Sequence, residues 1–85
     1  MGAKEVLIQS SARKKLLKLP LHIHKKVLRS FEIIRQNPLI GIKLHGKLAR
    51  YHKYRIGDYR IVYRLDVKPS TVIIVKLEHR QGVYK

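Results

Sequence analysis

Apolar positions change their spacing along the chain, and each change predicts an element. Val6, Leu7 and Ile8 form a short continuous apolar run, which predicts a strand over 5–9. Ser10 and Ser11 then offer capping hydroxyls, and a helix is predicted over 12–19, closed by Pro20. Ile23, Val27, Phe31 and Ile34 recur at helical intervals, which predicts a second helix over 21–36. Asn37-Pro38 ends it, because the residue before a proline is pushed out of the helical region. The stretch 39–49, with Gly41 and Gly46, fits neither period and stands as a connection. From residue 50 the period falls to two, and strands are predicted over 50–56, 59–66 and 71–79.

Together these elements make an α+β fold: an N-terminal strand and a two-helix hairpin packed on a small, mostly antiparallel four-stranded sheet. Gly57-Asp58 joins two alternating runs as a two-residue hairpin turn, glycine first as type II′ prefers. That turn sets the register, so Ile56 opposes Tyr59, Arg55 opposes Arg60 and Tyr51 opposes Arg64. One face then holds Tyr54, Ile56, Tyr59, Ile61, Tyr63 and Leu65 and is the core face. The other holds Tyr51, Lys53, Arg55, Arg60, Val62 and Arg64. By the same alternation Ile73, Val75 and Leu77 belong to the core, while Lys76, Glu78 and Arg80 join the second face. His79 falls on the core side.

Composition narrows the classes. Eighty-five residues allow one small domain, and Leu, Ile, Val and Phe supply 29 of them, well above the level of a disordered chain. The absence of cysteine excludes disulfides, thiolate chemistry and Cys-type zinc sites. No apolar run approaches the roughly 18 residues of a membrane span, and no signal peptide fits before Lys4 and Glu5, so a soluble, cytoplasmic protein is expected. The net charge of +15 changes the picture most. Self-repulsion on that scale weakens a compact fold and points to a polyanionic partner: RNA, DNA or an acidic protein. Arg55 opposite Arg60 sharpens the point, since like charges across a ladder destabilise a sheet unless a polyanion sits between them. The helices carry further cations, from Arg13 to Arg29, suited to an RNA backbone. His22-x-His24 has no evident third ligand, so no metal is expected.

The segment Leu44-His45-Gly46, the string Tyr54-Arg55-Ile56-Gly57-Asp58-Tyr59-Arg60-Ile61-Val62-Tyr63, then Glu78-His79-Arg80 and Val83-Tyr84, closely resemble the RelE/ParE superfamily of toxins from type II toxin–antitoxin pairs. The resemblance implies a single RelE-like domain over 1–85. RelE-like members are ribosome-dependent endoribonucleases that cut mRNA in the A site; ParE-like members share the fold and poison DNA gyrase. The basic strand residue, the arginine of the Tyr-Arg motif, the last-strand arginine and the C-terminal tyrosine of RelE-like toxins fall here on Lys53, Arg60, Arg80 and Tyr84, the catalytic candidates. Tyr51 stands where many relatives carry a second lysine. Tyr51, Arg55, Arg64, Lys76 and, secondarily, His79 are the substrate-binding candidates. The retained set favours the RelE-like branch; the alternative is a gyrase inhibitor or a non-catalytic RNA-binding module.

The chemistry such residues support needs neither metal nor other cofactor. The RNA 2′-hydroxyl attacks the adjacent phosphate and leaves a 2′,3′-cyclic phosphate. That step requires a base near the 2′-oxygen, cations on the developing phosphorane charge and an acid for the 5′-oxygen. Lys53 is the base candidate, Arg60 the phosphate clamp, Arg80 a stabiliser of the leaving side, and Tyr84 a platform for a splayed base. The ribosome is expected to supply the remaining order, so a flat basic face without a pocket suffices. Besides ribosomal RNA and mRNA, the expected partner is an acidic antitoxin in a toxin–antitoxin hetero-oligomer.

Overall fold

The chain, described over residues 2–66 and 70–79 in a computed structural model, runs β1 (Glu5–Ile8), α1 (Ser10–Leu17), α2 (Leu21–Gln36), β2 (Ile42–Lys43), a 3₁₀ turn (Gly46–Leu48), β3 (Tyr51–Ile56), β4 (Tyr59–Asp66) and β5 (Thr71–His79). The strands form one sheet in the order β1-β5-β4-β3-β2. β1 runs parallel to β5, and every other neighbouring pair is antiparallel. The α+β class is the one predicted.

One apolar layer joins the helices to the sheet. Val27 and Ile34 of α2, Ile61 and Tyr63 of β4, and Val72 and Ile74 of β5 are wholly buried, and Ala12 and Leu16 of α1 close the cluster. Burying each large aliphatic side chain contributes about 1.5–3 kcal/mol. α2 occupies the predicted span. α1 begins two residues before the predicted start, and neither serine caps it: Gln9 is the N-cap and makes no side-chain cap hydrogen bond. The Gln9 amide donates to the Ile74 carbonyl, while its own carbonyl accepts from Arg13. The chain thus leaves the sheet and enters the helix at one residue. The Ser11 hydroxyl reaches the Val75 carbonyl instead, at 3.5 Å.

The sheet has five strands rather than four. The addition, β2, comes from the 39–49 connection and pairs Ile42 with Lys53 and Lys43 with His52. Tyr63 pins the approach to it. Its hydroxyl donates to the Pro38 carbonyl at 2.7 Å and accepts the Gly41 amide at 2.9 Å. A side chain at Gly41 would lie 2.7 Å from both the Lys53 carbonyl oxygen and the Tyr63 hydroxyl, so only glycine fits between them.

The β3–β4 hairpin has the predicted register, from Ile56–Tyr59 to Tyr51–Arg64. Gly57 takes φ +55° and Asp58 does not take a positive φ, which makes the turn type II′. β5 departs from strict alternation. Val62 pairs with Lys76 but Tyr63 pairs with Ile74, leaving Val75 as the extra residue of a β-bulge. Before the bulge Val72 and Ile74 enter the core; beyond it Leu77 does. The predicted core positions Ile73 and Val75 are therefore corrected. Ile73 is buried outside that cluster, and Val75 turns to the opposite face of the sheet.

Candidate nucleic-acid interface

The face of β3, β4 and β5 away from the helices is not flat. The chain between α2 and β3 folds over it and leaves an open groove of about 680 Å³. Its cationic lining comes from Lys53 on β3, Arg60 and Arg64 on β4, Lys76 on β5, and Arg50 just before β3. Leu44, Leu48, Val62 and Val75 supply apolar surface, and Tyr51 an aromatic ring. The expectation of a site without a pocket is thus corrected. The cause is the connection that carried no readable period.

Alternation along β3 and β4 brings Tyr51, Lys53, Arg60 and Arg64 together as predicted, and the bulge turns Val75 towards the same groove as Lys76. Arg55 does not join them. It is exposed, and its Nε–H donates to the Gly57 carbonyl at 3.0 Å. Arg60 lies directly opposite Arg55 but its Nε approaches the Glu78 carboxylate at 3.3 Å. Each guanidinium therefore finds an acceptor within the chain, and the expected repulsion is relieved without a bound polyanion. His79 lies on the core side, with its ring edge-on to Tyr59 at 4.7 Å, and does not line the groove. Arg80 and Tyr84 lie outside the described residues.

The sequence gives no sign that Leu48 and Arg50 line the site, and it offers Leu44 only as part of the family motif, because all three reach the groove through the fold-back of 39–50. Glu78 was placed on this face by alternation, but its ion pairs were not. Its Oε2 lies 3.7 Å from Lys76 Nζ, and Arg64 is paired with Asp66. Among the described residues neither Lys53 nor Arg50 has an acidic partner. On the other face, His52 stacks on Tyr63 with ring centroids 5.3 Å apart. Burial, and then the Lys43 charge across the strand pair, hold its imidazole below the usual histidine value. Burial likewise pushes the Tyr63 phenol up, so it remains a donor to Pro38. Among the described residues no group of three His, Cys, Asp or Glu side chains is placed to hold a metal, and no helix is long and apolar enough to cross a membrane.

Known proteins share this architecture. Toxin RelG of Mycobacterium tuberculosis is 35% identical over 82 residues, covering 94% of each chain. In the crystal structure of the toxin–antitoxin complex RelBE2 from the same organism, one chain is 33% identical with a TM-score of 0.84, covering 94% of this chain and 100% of that one. A chain of the archaeal RelE–RelB complex from Pyrococcus horikoshii is 26% identical with a TM-score of 0.73, covering 94% and 97%. The family model described as ParE toxin of type II toxin–antitoxin system, parDE, matches residues 6–84. A fold and a match that extend over nearly the whole chain place this protein in the ParE toxin family of type II toxin–antitoxin systems, within the RelE/ParE superfamily.

Proposed function

We propose that the protein is a RelE-like endoribonuclease that cuts mRNA in the ribosomal A site and so stops translation in the cytoplasm. The observation that carries this is the groove itself, which sets Lys53, Arg60 and Lys76 around apolar surface from Leu44, Leu48 and Val62. Cations gathered along one groove grip a phosphate chain, and apolar and aromatic surface accepts unstacked bases. In the reaction the O2′–P bond forms as Lys53 takes the 2′-hydroxyl proton. Arg60 holds the non-bridging oxygens as charge builds on them. The P–O5′ bond breaks, the 5′-oxygen takes up a proton, and a 2′,3′-cyclic phosphate remains. Arg80 is assigned to the leaving side and Tyr84 to substrate stacking.

The solved relatives with antitoxin in their complexes support a protein partner for this chain too. A net charge of +15 and exposed apolar residues such as Leu39 and Ile42 suit an acidic, amphipathic segment. Expressed alone, the chain is expected to arrest growth, and its antitoxin to restore it. The deciding experiment uses programmed ribosomes. Primer extension should map cuts to the A-site codon, with 2′,3′-cyclic or 3′-phosphate ends, while free mRNA is cut far more slowly. Gyrase supercoiling should be unaffected at equal concentration. Inhibited gyrase with intact mRNA would transfer the assignment to gyrase poisoning.

A further inference from the structure

Among the described residues that line the groove, Glu78 is the only acid. It is half-buried, and it lies directly opposite Arg60 in the β4–β5 ladder. One carboxylate oxygen lies 3.3 Å from Arg60 Nε and the other 3.7 Å from Lys76 Nζ. A phosphodiester presents the same pattern, two oxygens sharing one negative charge, to cations arranged in this way. The three side chains thus form a closed anion site whose anion belongs to the protein.

We propose that Glu78 is a built-in competitor of phosphate: in the free toxin its carboxylate holds Arg60 and Lys76, and a phosphate chain binds by displacing it. This rests on the reading of the groove as a phosphate-binding site. Glu78 is then a positioning residue acting through Arg60. It keeps that guanidinium over the groove when no substrate is present, away from the Arg55 side of the turn. It also raises the threshold for loose polyanions, since a strand that engages Arg60 alone must first break an existing pair. Ion pairs this exposed are weak, so a strand that also engages Lys53 and Arg50 prevails.

The test measures two probes by calorimetry: tripolyphosphate, which has no ribose, and an RNA hexamer with 2′-O-methyl groups throughout, which cannot be cleaved. Glu78→Gln should bind both about three- to tenfold tighter, the range for freeing weakly paired surface cations. The gain should vanish in the Arg60→Ala background, as coupling between contacting residues requires. Glu5→Gln, the same charge change at an exposed position on β1, should shift affinity less than twofold. A merely structural role would alter melting temperature without this dependence on Arg60. Equal or weaker binding by Glu78→Gln, or a gain that survives Arg60→Ala, overturns the proposal. Tripolyphosphate coupling without any mRNA cleavage would support the competition while removing the endoribonuclease assignment; cleavage without coupling would overturn the competition alone.

Discussion

Arg60 stands opposite one cation and against one carboxylate, and the carboxylate decides what its loss does to stability. Arg60→Ala should lower ribosome-dependent cleavage by about 10²- to 10³-fold, the cost of losing one preorganised charge donor. Stability should change by less than about 1 kcal/mol, because what is lost is one half-exposed ion pair with Glu78. Primer extension and urea unfolding on one preparation check both; an unfolded variant would end the assignment. His52 answers to pH. Its Nδ1 is buried without a hydrogen-bond partner, and the folded-state pKa lies below the unfolded value of 6.5. As pH falls through 6.5 the unfolded chain takes the proton first, so this contribution is complete above that pH and is lost progressively below it. Urea midpoints should therefore fall between pH 7 and 5, and His52→Phe, which keeps the stack on Tyr63, should flatten the fall. Glu32 works lower on the scale. Hydrogen bonds from Arg35, then Gln36, hold its carboxyl down at about 2. Its contribution is whole above the ordinary 4.5 and disappears as pH drops towards 2, so Glu32→Gln should change only that acid limb.

At the scale of elements, the two-residue strand β2 holds the edge of β3, the strand that carries Lys53. Gly41→Ala would drive a methyl into the Lys53 carbonyl and the Tyr63 hydroxyl, and the β2 approach must give way. A loss of about 1–3 kcal/mol is expected, as for other forced overpacking, with faster amide exchange along β3 and reduced cleavage as Lys53 shifts. Tyr63→Phe would strand the Gly41 amide and the Pro38 carbonyl, again at about 1–3 kcal/mol. These same contacts explain which elements could be read in advance. α2 and the β3–β4 hairpin are local: one follows from the spacing of Ile23, Val27, Phe31 and Ile34, the other from a turn that admits one register. β2 is too short to have a period, and what holds it is a tyrosine 22 residues further on. The bulge at Val75 sits in the run Val72-Ile73-Ile74-Val75, where every residue is apolar and a slip leaves no mark. Lys53, Arg60 and Arg64 were legible because the hairpin turn numbers their face. The pairing of Arg60 with Glu78 was not, because four residues rather than two separate β4 from β5, and such a connection sets no register.

For the molecule as a whole, charge dominates what can be measured. Five cations line the groove, so the affinity for single-stranded RNA should fall with salt at a log–log slope of about −2 to −3.5, from roughly 0.7 per phosphate neutralised. Fluorescence anisotropy across a salt series reads it, and a flat response would remove the groove from RNA binding. The order of the strands has a temporal meaning as well. β1 touches only β5 in the sheet, although β5 follows it by more than sixty residues. Such a long-range parallel pairing is slow to form, and during translation β1 waits without a hydrogen-bonding partner until Thr71–His79 has left the ribosome. The same late strand delivers Lys76 and Glu78. A nascent chain therefore has neither a finished sheet nor a complete anion site, and the groove comes into being only after residue 79 has been translated.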